Sequence, residues 1–170
     1  MIVYSVYRCL CGFYKWECLE LTQNMTRVGE LMTKDVIHSV RSDSTVETAA
    51  ERMNQVQRGC LVVMDGGKLV GIVTERDLVQ RVMAKGYMPD KVRISEIMSK
   101  PVITVGPEAL LTDAARIMME NRIRRLPVIE GFDVVGMLTV TDFAKYLSKR
   151  MGQDPMLAAM SRAAVLLAEH

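Results

Sequence analysis

The chain has 170 residues, of which 49% are hydrophobic, 25% charged and 5% aromatic, and its formal net charge is +2. That balance excludes a disordered tail and suits one ordinary domain, or two small units sharing a core. No apolar run nears the roughly 18 residues that cross a bilayer, and no basic face with stacking aromatics is evident, so neither a membrane nor nucleic acid is an expected partner.

Residues 1–27 form an N-terminal extension without the patterning of the rest, and Met25 offers a second start within it. Arg8, Lys15 and Glu17 interrupt its apolar stretches, and it lacks the layout of a signal peptide; a cytoplasmic location is expected. Its Cys9, Cys11 and Cys18 lack a nearby fourth ligand and the usual pair spacing of a closed zinc site, so they read as incidental thiols.

A short apolar stretch, Asp35–Val40, opens the patterned region as a strand. Val46, Ala49, Ala50 and Met53 then recur at helical spacing, and Ser44 with Glu47 fits a capping box for that helix. "CLVVM" and "LVGIV", joined by "DGGK", read as a hairpin; Cys60 at its start fits a small core residue. A helix beginning near Arg76 and stopping at Gly86 follows.

The same order then returns. "PVITV" is the second opening strand, Leu111, Ala114, Ala115 and Met118 form the helical stripe, and Pro107 helps set the start of that helix. "LPVIE" and "VVGML" make the second hairpin, and "DFAKYLSKRMG" the closing helix. Met53, Gly71, Thr74 and Asp77 meet Met118, Gly136, Thr139 and Asp142, all 65 residues further on. The chain is a tandem duplication. The expected units are residues 28–88 and 89–148, each too small to bury an adequate core alone. The tail 149–170 carries an apolar helical stripe suited to packing.

Each copy ends its hairpin on Gly-apolar-apolar-Thr-x-x-Asp. Thr and Asp at this spacing cap a helix N-terminus. A carboxylate held there can also accept two hydrogen bonds from a vicinal diol such as ribose. The stretch before the second β-run differs between copies, Gln57-Arg58-Gly59-Cys60 against Arg122-Ile123-Arg124-Arg125. Paired arginines suit phosphate oxygens.

With these landmarks the chain resembles a pair of CBS domains, together called a Bateman module, over about residues 28–148. The resemblance implies an α+β fold of two β-α-β-β-α repeats related by a pseudo-two-fold axis and packed through small sheets. It also implies clefts between the repeats for an adenosine-containing ligand (AMP, ADP, ATP or S-adenosylmethionine), with the Asp on the ribose hydroxyls. Carried over by position, one cleft holds Thr74, Asp77, Val102, Ile103, Arg124 and Arg125. The other holds Thr139, Asp142, Val36, Ile37, Gly59 and Cys60. The first, with its arginines, is the expected phosphate-bearing site; the second is expected to bind more weakly, to take fewer phosphates or to stay empty.

The chain has only two histidines, His38 and His170, and no nucleophile–base pairing or metal-ligand cluster stands out, so an enzyme is not expected. No cofactor is required under this reading, and the nucleotide or S-adenosylmethionine acts as a regulatory ligand. A homodimer and a separate regulated protein are the expected partners. The alternative is a ligand-independent assembly module.

Overall fold

In a computed structural model, the described residues are 26–34 and 37–150. The cysteines at 9, 11 and 18, the apolar tail stripe and Val36 lie outside them. The first copy runs α1 (Val28–Leu31), β1 (Ser39–Val40), α2 (Val46–Val56), β2 (Cys60–Asp65), β3 (Lys68–Thr74) and α3 (Glu75–Arg81), followed by a 3-10 turn (Met83–Lys85). The second runs α4 (Ile94–Ile97), α5 (Leu111–Asn121), β4 (Arg125–Glu130), β5 (Asp133–Thr139) and α6 (Val140–Arg150). The fold is α+β.

The hairpins follow from their turns and alternation. Gly66 and Gly67 take φ of 54° and 77° between β2 and β3, a left-handed pair that side chains resist and glycine accepts. Registers match between copies: Cys60 faces Thr74, and Arg125 faces Thr139. Each hairpin shifts register at the same place, between Val63 and Met64 or between Val128 and Ile129. β3 and β5 touch, so the two sheets meet there.

The opening strands differ. β1 pairs in parallel with β2, and the Val62 amide donates to the His38 carbonyl at 3.2 Å. The position equivalent to Val62 is Pro127, which has no N–H to give. "PVITV" accordingly contributes only a bridge, Val105 to Val128, rather than the expected strand.

The expected capping box moves by one residue. Thr45, not Ser44, caps α2, accepting from the Thr48 amide at 3.2 Å. The Ser44 carbonyl is engaged instead by the Ile94 amide at 2.9 Å. Both α2 and α5 end on left-handed residues, Gln57 and Arg122, that turn the chain into β2 and β4.

The segments that open each copy are exchanged. Val92, Ile94 and Ile97 are buried in the core built by Val46, Ala49, Met53, Leu61, Val63 and Val73 of the first copy. Val28, with Leu31 and Met32 beside it, packs into the core of Leu111, Ala114, Met118, Leu126, Val128 and Leu138 of the second. Backbone bonds fix the exchange: the Val46 amide donates to Val92 at 3.0 Å, the Val28 amide to Ala109 at 3.0 Å, and Thr33 and Met137 bond each other both ways. Neither core closes without a segment that lies in the other copy's sequence.

This exchange accounts for the glycine in each Gly-apolar-apolar-Thr. A Cβ on Gly71 would stand 2.4 Å from Met98 Sδ, and one on Gly136 would stand 2.5 Å from Met32 Sδ. Each glycine leaves room for the methionine of the exchanged segment.

Candidate functional site

Thr74 and Thr139 end β3 and β5, and the following helices start at once. At the first, the Asp77 amide donates to Thr74 Oγ at 3.3 Å, while Asp77 Oδ2 accepts from the Thr74 amide at 2.9 Å and hydroxyl at 2.7 Å. The second repeats this geometry, with Asp142 Oδ2 accepting from the Thr139 amide and hydroxyl, both at 2.7 Å. Both motifs are therefore capping boxes, each with one carboxylate oxygen turned outward.

Those outward oxygens meet different partners. Asp77 Oδ1 is held by Arg81 Nη2 at 3.2 Å, one turn along α3, and Arg81 also donates to the Ile97 carbonyl. Among the described residues, Asp142 Oδ1 meets only the Thr33 hydroxyl, at a long 3.5 Å. The residue in place of Arg81 is Tyr146, whose hydroxyl bonds Thr26 Oγ1 at 2.6 Å.

A cleft of about 770 Å³ opens beside Asp142, of a size suited to a small-molecule ligand. Thr139, Asp142, Ile37, Gly59 and Cys60 line it, so the structure brings together the described members of the second expected set. Arg124 and Arg125 line the same cleft. Thr74, Asp77, Val102 and Ile103 do not; Ile103 packs instead against the core of the second copy. Arg124 and Arg125, expected beside Thr74 and Asp77, thus line the cleft of Thr139 and Asp142.

The second hairpin holds the arginines beside Thr139. Arg125 faces Thr139 across the strands, and the Val140 amide donates to the Arg124 carbonyl at 3.1 Å. The start of β4 is thereby tied to the start of α6. The first copy builds the facing wall the same way, with the Glu75 amide on the Gly59 carbonyl at 3.2 Å. At Gly59 charges of both copies come together: a Cβ there would lie 2.3 Å from Glu75 Oε2 and 3.0 Å from Arg125 Nη2.

Arg58, Glu75, His38 and Lys145 also line the cleft and were not singled out as site residues from the sequence. The 65-residue offset could have drawn attention to Glu75, since its counterpart is the apolar Val140. Cys60 sits within this charged setting. Burial pushes its thiol pKa up, Arg125 and Arg58 pull it down, and Glu75 adds to the rise. His38 Nδ1 is buried with no hydrogen-bond partner among the described residues. Among the described residues no cluster of His, Cys, Asp and Glu could hold a metal ion, and no helix is long and apolar enough to cross a membrane.

Two interleaved copies with a polar cleft between them define a paired-repeat, ligand-binding type of protein. The chain belongs to the CBS-domain family, whose match covers residues 28–84 and 94–149. It is 33% identical over 120 residues to the CBS domain-containing protein YhcV of Bacillus subtilis, covering 71% of this chain and 84% of that one. It is 35% identical over 116 residues to the uncharacterized protein MK0525 of Methanopyrus kandleri, of whose length it spans 59%. Among solved structures, a putative signal-transduction protein with CBS domains from Burkholderia ambifaria superposes with a TM-score of 0.68 at 30% identity, over 71% of this chain and 93% of that one. The CBS domain pair of protein MJ0100, solved with 5'-methylthioadenosine and S-adenosyl-L-methionine, gives 0.66 at 28% identity, over 74% and 98%.

Proposed function

We propose that the chain is a regulatory module that binds an adenosine-containing ligand in the Asp142 cleft and passes its occupancy to a partner protein. The observation that carries this reading is the placement of Asp142 and Thr139 beside Arg124 and Arg125 in one cleft between the copies. The outward oxygen of Asp142 accepts from the ribose hydroxyls, and the arginines take phosphate oxygens. The complex of MJ0100 with two adenosyl compounds supports adenosine as the common element. The ion pair with Arg81 supports a weaker role for the Thr74–Asp77 motif, against the ranking expected from the sequence.

Calorimetric titration with AMP, ATP and S-adenosylmethionine tests the reading. Binding by at least one of them, lost in Asp142→Ala, is the expected result; no heat and no rise in melting temperature with any of them at millimolar concentration would sink it.

One observation favours assembly as a second reading. Val79, Met83, Tyr87 and Met88 are 53%, 66%, 54% and 65% exposed, on α3 and the segment after it. Apolar residues gathered on one surface suit a subunit contact. Val79 and Met83 also line the cleft, whereas Tyr87 and Met88 do not, so sedimentation of wild type against Tyr87→Lys with Met88→Lys separates the readings: dissociation without change in ligand affinity would assign the patch to assembly alone.

A further inference from the structure

Taking the cleft as a nucleotide site, as proposed above, we infer that Glu75 sets how many phosphates the ligand carries, favouring a nucleoside monophosphate over a metal-free triphosphate. The residues form a sequence along the cleft. Asp142 is bonded to Thr139, Thr139 faces Arg125 across the hairpin, and Arg125 converges with Glu75 over Gly59. A ribose held by Asp142 therefore places its first phosphate at Arg125. Further phosphates extend towards the opposite copy, where the carboxylate of Glu75 waits.

The bare backbone of Gly59 lets both charged heads come over the same point: a Cβ there would stand 2.3 Å from Glu75 Oε2 and 3.0 Å from Arg125 Nη2. Glu75 is exposed and projects from the first position of α3, so its carboxylate stands beside the space a phosphate on Arg125 would fill. One phosphate can sit on Arg125 without reaching it. A second and third bring like charges against it, and like charges facing each other at a binding surface carry a large penalty. The second copy has the uncharged Val140 at this position, so the carboxylate stands on one wall only.

Calorimetric titration with AMP and with ATP in chelator, on the wild type, Glu75→Gln and Glu75→Ala, decides this. The wild type should bind AMP more tightly than metal-free ATP. Both variants should gain ATP affinity relative to AMP by about tenfold or more, since they remove the same charge. Melting temperatures without ligand, equal across the three proteins, establish that the fold is intact. A wild type that prefers metal-free ATP, or an ATP-to-AMP ratio unmoved in both variants, would overturn the role of Glu75 and leave the nucleotide site standing. Binding of neither nucleotide by any of the three would overturn the site and this role together.

Discussion

Arg81 holds the outward oxygen of Asp77 at 3.2 Å, and the second copy has Tyr146 where Arg81 would be. Two motifs alike in sequence thus present different carboxylates: Asp77 is committed to its own helix, while Asp142 faces the cleft. Asp142→Ala is expected to weaken ligand binding about 10- to 100-fold, the cost of losing hydrogen bonds to a charged acceptor. Asp77→Ala should leave affinity within about twofold, yet lower stability by about 1 kcal/mol through the lost cap. Titration calorimetry and thermal melting of both variants check this; equal losses of affinity would show that Asp77 also holds ligand.

Gly71 and Gly136 should resist substitution for a reason outside their own hairpins. Alanine at either must displace a methionine of the exchanged segment, and at Gly136 the new Cβ would also stand 3.1 Å from the Thr33 carbonyl. Each change is expected to cost about 1–3 kcal/mol by overpacking. Combining Gly136→Ala with Met32→Ala should cost less than the two changes summed, with a coupling above about 0.5 kcal/mol. Denaturant unfolding of the four proteins in the cycle measures it, and strict additivity would place the strain elsewhere.

Much of this fold was legible in the sequence because its signals were long or repeated. The 65-residue offset exposed the duplication, helical spacing marked the α2 and α5 stripes, and "DGGK" marked a hairpin whose two glycines have positive φ. The four-residue helices α1 and α4 escaped, since one turn is too short to show a period. Their exchange escaped too: both copies carry an opening segment with Met and an apolar neighbour, so nothing local says which core it enters. Arg124 and Arg125, expected beside Thr74 and Asp77, line the cleft of Thr139 and Asp142. The hairpin sets Arg125 opposite Thr139, and that register depends on the turn and the bulge together.

Cys60 gives the cleft a pH-dependent signature. Burial raises its thiol pKa in the folded protein. Folding therefore favours the protonated thiol: the contribution is fully present below the unfolded thiol's pKa and is lost as pH rises through the folded one. Between about pH 8 and pH 10, spanning the ordinary thiol range, the wild type should lose more stability than Cys60→Ala. Denaturant midpoints at the two pH values check the sign; an equal loss in both proteins would mean the thiol does not contribute. Alkylation of Cys60 near neutral pH should also be slow, because the reactive thiolate is scarce.

The exchanged segments make the copies inseparable. Ile94 is fully buried among residues of the first copy although it lies in the second copy's sequence. Ile94→Ala is expected to cost about 2–5 kcal/mol, the range for emptying a core site. A fragment of residues 28–88 keeps the first hairpin and both its helices yet lacks Val92, Ile94 and Ile97, so its core stays open. It should show no cooperative unfolding transition. A fragment of residues 37–99 contains that core's own strands and helices together with the segment that closes it, and drops the Val28 segment that belongs to the other core. Small domains of this size are marginal, so only a weak transition is expected, but it should exceed that of 28–88. Circular dichroism melts of the two fragments decide the point. If 28–88 were the more cooperative, closure of the first core would not depend on the segment at residues 92–97.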